Sequence, residues 1–210
     1  MPPDDPTRAQ WKALGLKIKR RNLLAAALSG SVLALISLRL FPYSAFGLCV
    51  GFVAGLLYAN VFEYCLHRFL LHAGRGFFCQ QHMVHHTTLN SPEAPRYVNF
   101  SRNPWGVVAL FLANSIPFLV LERITRNGWA AGMFLSFAIY YIAFEEIHWR
   151  THMGGWLPKW LRPVARHHLL HHAQDSDRFN VFLPMCDWLL GAPAKSEVEQ
   201  QSQSELRPHP

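Results

Sequence analysis

The sequence predicts an all-α integral membrane protein with four transmembrane helices in two hairpins and a histidine-rich cytoplasmic helical cap. Half of the 210 residues are hydrophobic and only 16% are charged, whereas soluble domains carry about 25% charged residues. Ten of the twelve histidines fall into four short clusters, which lie beside four long apolar stretches. The length fits one domain. The four cysteines form no CxxC pair, which argues against a disulfide framework or a thiolate zinc site.

Four uncharged stretches have about the length that a helix needs to cross a bilayer, which is roughly 20 apolar residues. They are residues 22–38, 40–62, 103–121 and 127–144. The second helix should begin after Pro42, and Pro104 suits the first turn of the third. Because the links within each pair of stretches are short, we expect two helical hairpins. A buried or re-entrant helix is the alternative interpretation for one stretch, chiefly the first, which is the shortest.

The basic residues give the orientation. Arg39, Arg123 and Arg126 lie on one predicted side of the membrane, and the other lysines and arginines lie on the opposite side. The side that carries most of the lysines and arginines should be cytoplasmic. With four spans, both histidine-bearing segments then emerge on that face. The formal charge of +7 favours an anionic membrane surface over nucleic acid, because no basic run is interleaved with aromatic residues.

The histidine clusters predict a metal site. Residues three and four apart share a helix face, so most of these imidazoles can converge, and ten of them exceed what one ion accepts. We therefore expect two metal ions close together. The clusters are HRFLLH (His67, His72), HMVHH (His82, His85, His86), HWRTH (His148, His152) and HLLHH (His168, His171, His172).

Two histidines in the first cluster need a separate interpretation. His67 and His72 are five residues apart and cannot share the face of an α-helix with 3.6 residues per turn. We expect them to serve different metals, unless the helix breaks near Ala73 and Gly74. His167 departs from the face pattern of its neighbours and is expected in an outer layer or at the surface. His209 in the tail is assigned no role.

The ligand chemistry leaves iron and zinc open, since imidazole suits both. A zinc pair would serve hydrolysis, usually with a bridging carboxylate, and no HExxH motif is present. Metal-bound histidine usually donates its second ring N–H to a neighbouring acceptor. Glu63, Glu145 and Asp187 are candidates for that outer layer; capping a span or pairing with arginine is the alternative for each.

At these residues the chain resembles the fatty acid hydroxylase and sterol desaturase superfamily of membrane di-iron oxygenases. The clusters match its box order HxxxxH, HxxHH, HxxxH and HxxHH, and RFNVFLPMCDWLLG resembles its closing segment. The match runs from about Tyr58 to Gly191. The first and third boxes are most similar to the fatty acid 2-hydroxylase branch, and carotenoid ring hydroxylases are a rival branch.

The resemblance implies two iron ions, with zinc able to substitute, held by the ten clustered histidines with no further catalytic residue. It also implies molecular oxygen and hydroxylation of an unactivated C–H bond in a lipid acyl chain. Residues 22–191 would form the membrane-embedded di-iron hydroxylase domain, between a cytoplasmic segment, 1–21, and a disordered tail, 192–210. Residues 1–21 cannot hold the haem domain fused to many eukaryotic members, so we expect the electron donor to be a separate protein.

Several alternatives stay open at the level of sequence. Desaturation and hydroxylation both begin with hydrogen abstraction, so a sterol or lipid desaturase is not separated from a hydroxylase. A metal transporter would need polar residues along its spans, and a membrane zinc hydrolase would turn over without oxygen. Aromatic residues near the clusters could line a substrate entrance or anchor the interface; they are Phe69, Phe77, Phe78, Trp149 and Trp156.

Overall fold

The computed structural model describes residues 6–174 and 178–190, and within these ranges the chain forms helices and no strand. Four helices are long and apolar enough to cross a membrane, which confirms the predicted all-α, four-span class. The α-helices are α1 (Pro6–Leu40), α2 (Ala45–Cys65), α3 (Phe77–Thr88), α4 (Ala94–Tyr97), α5 (Pro104–Thr125), α6 (Trp129–Met153), α7 (Arg162–Gln174) and α8 (Met185–Leu189). A π-helix, Leu66–His72, continues α2, and a 3₁₀ turn, Lys159–Leu161, precedes α7.

The second and third spans, α2 and α5, each begin directly after a side chain that caps the helix. The Ser44 hydroxyl accepts a hydrogen bond from the Gly47 amide at 2.9 Å and caps α2. The Asn103 side chain caps α5 by accepting from the amides of residues 105 and 106. Short polar side chains at the N-cap satisfy first-turn amides that have no partner inside the helix.

The second hairpin differs in extent from the predicted stretches. Its two helices are joined by a tight turn, in which Arg126 and Gly128 both have positive φ angles, of 48° and 89°. The buried Glu122 carboxylate accepts hydrogen bonds from the Gly128 and Ala130 amides at 2.9 and 2.8 Å, which stabilises the positive end of α6. Helix α6 then continues well past residue 144 to Met153, so the third histidine cluster lies on the same helix as the fourth span.

Helix α1 runs without a break across residue 21, so the border predicted there is a change in charge within one helix. Its amino-terminal part packs on the cap. Gly15 lies directly against the Pro95 carbonyl and the Trp149 ring, and Lys19 forms an ion pair with Glu146 at 2.5 Å. The predicted tail, residues 192–210, lies outside the described residues.

Helix α6 is the centre of the bundle and packs against α1, α2 and α5. Its apolar window is 67% buried, compared with 22–28% for the other three spans. The contact with α2 is close because Gly51 and Gly55 face α6, where a Cβ would collide with Trp129 and Ser136. Small residues allow such close approach in membranes. Helices α2 and α5 make little direct contact with each other, which leaves room between them on the cap side.

Candidate metal centre and adjoining cavity

The ten clustered histidines converge into two groups of five. In each group the five ligand nitrogens lie within 4.8 Å of one another. The first group is His67, His72, His82, His86 and His171, and the second group is His85, His148, His152, His168 and His172. The structure therefore brings together every predicted ligand. Metal binding by these residues stays a prediction.

The two HxxHH clusters each serve both groups. Helix α3 supplies His82 and His86 to the first group and His85 to the second, while α7 supplies one ring to the first group and two to the second. The groups are thus adjacent, and the His86 and His172 ring centroids are only 4.1 Å apart.

The expectation that His67 and His72 would belong to different groups is wrong. Both lie in the first group because the backbone between them is a π-helix. Its i→i+5 hydrogen bonding brings residues five apart onto one face, as the bond from the Ala73 amide to the Arg68 carbonyl at 3.1 Å shows. The other expectation, a helix end near Ala73, is confirmed, since the π-helix ends at His72.

The spacing of the nitrogens fits a shared ion. The Nε2 atom of His82 lies 3.0 Å from the Nε2 atoms of His67, His72 and His86. A neutral imidazole has one donor and one acceptor, so these three contacts cannot all be hydrogen bonds. Metal–nitrogen bonds of about 2.1 Å at right angles place neighbouring ligand atoms about 3.0 Å apart, whereas tetrahedral angles would place them about 3.4 Å apart.

The second group shows the same spacing. The Nε2 atom of His168 lies 2.9 Å from that of His152 and 3.0 Å from that of His172. The buried Nε2 atoms of His85 and His148 have no hydrogen-bond partner among the described residues. Because a buried polar atom without a partner is costly, these lone pairs are consistent with a ligand held between the rings.

Burial keeps four of the imidazoles outside the spans neutral. Removal from water, with repulsion by the neighbouring rings as a second cause, lowers the pKa of His85 and His168 well below the ordinary value. The pKa values of His82 and His172 are lowered by the same two causes. A metal ligand must be the unprotonated ring, so all four are in the binding-competent form at neutral pH.

Asp187 supports the first group through one peptide unit. His67 Nδ1 donates to the Phe179 carbonyl at 2.5 Å, and the amide of that same peptide, on Asn180, donates to Asp187 Oδ2 at 2.9 Å. The fully buried carboxylate also accepts from the Phe179 amide and from His167 Nε2, each at 2.9 Å. Asp187 therefore lies one peptide unit from His67 and contacts His167 directly; its role in an outer layer around a metal stays a prediction.

Glu63 supports the same segment from α2. Its carboxylate accepts from the amides of Val181 and Phe182 at 2.6 and 3.2 Å and from the Tyr140 hydroxyl at 2.5 Å. It also accepts from the Asn180 side chain at 3.2 Å. These contacts hold the segment that carries the Phe179 carbonyl, and none of them is to an imidazole. The sequence signal for Glu63 was its position directly after the second apolar stretch and four residues before His67.

Glu145 lies in a different network, away from the imidazoles. It accepts from the Asn22 side chain at 3.2 Å and from the Phe100 amide at 3.1 Å. These contacts join α6 to α1 and to the loop before α5. The fully buried Asn22 was not predicted to take part, although a polar residue at the edge of a span is a signal of such joints. The fully buried Asn180, which contacts Glu63, was not predicted either.

An apolar cavity of about 670 Å³ descends from the histidines between α2, α5 and α6. Its ceiling contains rings of both groups, namely His67, His82, His85, His148 and His168. Of the aromatic residues expected at an entrance, Phe77 and Phe78 line the cavity. Trp149 instead lies beneath the Lys19 ammonium, whose nitrogen is 5.5 Å from the centroid of the Trp149 ring. Phe69 and Trp156 are exposed and do not line the cavity.

The family model for fatty acid hydroxylases matches residues 52–192, about two thirds of the chain. The chain belongs to the fatty acid hydroxylase family. The match covers all four histidine clusters and confirms the superfamily, and it selects no branch within it. Comparisons with curated proteins and with solved structures gave no match. Membership in the fatty acid hydroxylase family, together with the four apolar helices, indicates a multi-pass membrane oxygenase of the hydroxylase or desaturase type.

Proposed function

We propose that the protein is an oxygen-dependent, non-haem di-iron enzyme that hydroxylates the acyl chain of a lipid. The observation that carries this proposal is the position of the two five-imidazole groups, which together form the ceiling of an apolar cavity that descends into the membrane spans. An alkyl chain in that cavity presents its C–H bonds to both groups at once. The charge asymmetry of the sequence supports a cytoplasmic position for the site.

The donor set favours an iron pair over zinc. Structural zinc is closed by four tetrahedral ligands, whereas each group here offers five imidazoles, several at right-angle spacing. Within the described ranges neither group includes a carboxylate or a thiolate, which a hydrolytic zinc pair usually has as a bridge. A bound iron pair would supply the activation of dioxygen, with electrons from a separate protein.

The residues around the cavity bind and shield the substrate. Apolar side chains such as Phe62, Leu66, Phe137 and Phe144 form its walls below the imidazoles. They exclude water from the reacting carbon and hold the chain by contact alone, so the position of oxidation is set by how the chain lies. The protein thereby contributes orientation and a dry environment, which are its part in cofactor-based oxidation.

A transport function is not supported by the interior of the spans. An ion path across a membrane needs polar residues along it. Below the cavity, the buried rings of Phe118 and Phe134, each at most 1% exposed, fill space between the helices. Among the described residues, this aromatic packing does not support an ion path at that level.

The direct test compares lipid extracts from cells with and without the expressed protein. Hydroxylation adds one oxygen atom to a defined lipid class, and desaturation removes two hydrogen atoms. The purified protein should contain about two irons per chain, as expected of a two-metal site. His85→Ala and His171→Ala should each remove iron and abolish the oxygen-dependent product, while His209→Ala, which makes the same change in the tail, should leave both intact.

Full iron content and product formation in the His85 and His171 variants would refute the proposal. A product formed without oxygen and reductant, by protein that contains zinc, would point to a hydrolase instead.

A further inference from the structure

Contacts of Tyr58 on α2 with two residues of α5 close the cavity at the end away from the imidazoles. The Tyr58 hydroxyl donates to the Asn114 side-chain oxygen at 2.6 Å, and both residues line the cavity. The edge-to-face contact of Tyr58 with Phe118, at 4.9 Å between ring centroids, continues the closure. On α2, Tyr58 is nine residues from His67, which is about 13 Å along the helix axis at about 1.5 Å per residue.

The packing on either side of this contact explains why the cavity ends there. One turn below Tyr58, Gly55 lies against Met133 and Ser136 so closely that α2 and α6 leave no space. Above it, α5 presents the small residues Gly106, Ala109 and Ala113 to the cavity. The cavity is therefore open from the imidazoles down to Tyr58 and Asn114, and below them α2 packs directly on α6.

We propose, on the basis of the function proposed above, that Tyr58 and Asn114 form the end wall of a site for one unbranched alkyl tail. The tail can extend about 13 Å beyond the carbon that faces the imidazoles, which is less than half of the about 30 Å hydrocarbon thickness of a bilayer. The volume of about 670 Å³ lies in the range of about 300–1,000 Å³ for a single small ligand. One chain fits, and the wall limits its length.

The chemistry of the wall selects a methyl-terminated chain. The Tyr58 hydroxyl is engaged by Asn114, and the Asn114 amide donates to the Leu110 carbonyl at 2.8 Å. The polar groups of the wall are thus paired with protein atoms. A carboxylate or hydroxyl at the far end of a substrate would lose its hydration without gaining equivalent hydrogen bonds. Dicarboxylic acids should therefore be excluded.

The test measures binding rather than turnover. Metal-loaded, full-length protein is incubated with an equimolar mixture of straight-chain saturated fatty acids of graded length, and the retained acids are quantified by mass spectrometry. Tyr58→Ala should shift the retained distribution to longer chains, by roughly fourfold in affinity for each additional methylene that becomes buried. Ala113→Phe should shift it to shorter chains, because the new ring occupies the lower cavity.

Two variants serve as controls. Leu112→Phe adds a ring one residue from Ala113 at a position 56% exposed on the outside of the bundle, and it should retain the wild-type profile. Tyr58→Phe keeps the ring and removes only the hydrogen bond, so the length limit should remain even if α2 and α5 are held less firmly. A loss of stability without a change in profile is what a purely structural contact would produce.

Unchanged profiles in both Tyr58→Ala and Ala113→Phe, or shifts in the same direction, would overturn the proposal. Retention of dicarboxylic acids as strongly as of monocarboxylic acids of the same length would do so as well. Failure of the proposed function has a different signature: the wild-type protein would show the length limit and form no oxygen-dependent product.

Discussion

Among single residues, Asp187 illustrates how a carboxylate can influence a metal site that it does not touch. Its negative charge polarises the peptide between Phe179 and Asn180, whose carbonyl accepts from His67 Nδ1. Such an acceptor fixes the ring orientation and makes the opposite nitrogen a better donor to a metal. The effect should be confined to the first group, because no imidazole of the second group takes part in this chain of hydrogen bonds.

Asp187→Asn should weaken metal binding at the first group by about 10–100-fold and leave the second group close to wild type. The reason is that the amide cannot accept all the hydrogen bonds that the carboxylate accepts and carries no charge. Release of iron to a chelator, followed by absorbance, should become biphasic. Glu145→Gln is the matched control, since it neutralises another carboxylate that is only 1% exposed, and it should show no selective release.

The convergence of the ten imidazoles could be predicted from the sequence, but their division into two groups could not. Spacings of three and four residues directly indicate a shared helix face, and this local rule was enough to select the imidazoles. The placement of His85 with His148, and of His171 with His67, depends on where α3 and α7 lie relative to α2 and α6. That arrangement is a tertiary property, which the spacing of residues along the chain does not reveal. The role of the Phe179 carbonyl as the acceptor for His67 could not be predicted either, because every residue has a backbone carbonyl and the sequence does not mark which one is used.

Among the secondary-structure elements, the π-helix 66–72 has the clearest function. It accommodates one residue more than the α-helical spacing of the third cluster, in which His148 and His152 are four apart. A π-helix of this kind is commonly a local bulge within an α-helix at a functional site. The sequence analysis assumed α-helical geometry for this segment, and this assumption alone produced the wrong separation of His67 and His72.

Deletion of Phe69 should convert this stretch to an ordinary α-helix and preserve the first group. The two histidines would then be four residues apart and still share a face, and Phe69 is exposed and does not line the cavity. Iron content per chain should stay close to wild type.

Insertion of one alanine after Phe69 is the opposite change and should remove the iron of the first group. A spacing of six residues suits neither an α-helix nor a π-helix. Loss of iron on deletion, or its retention on insertion, would show that the segment is not held by its helical repeat.

For the molecule as a whole, ten imidazoles packed together make the fold sensitive to acid. Lowered pKa values for His82, His85, His168 and His172 mean that the unfolded chain binds protons more readily than the folded chain. Stability of the metal-free protein therefore falls as the pH drops below about 6.5, the ordinary histidine value. The loss continues as the pH approaches the lowered values.

We expect the Tm of the metal-free protein to fall between about pH 7 and about pH 5.5, and the metal-loaded protein to release its ions over the same change, because protons compete for the ligands. Addition of a chelator at neutral pH should also lower Tm, since an ion that binds only the folded state stabilises it. Calorimetry in detergent measures each effect. A Tm independent of pH in this interval would contradict the buried, neutral state of the rings.

The shared use of α3 and α7 has a consequence for how the centre is assembled. An ion captured by the first five rings draws in both helices, and those helices carry three of the five rings of the neighbouring site. The second ion then meets ligands that are already in place, so most of the entropy of ordering them has been lost in the earlier event. Loading of the wild-type protein should accordingly be cooperative, with fewer single-ion chains at half filling than two independent sites would give.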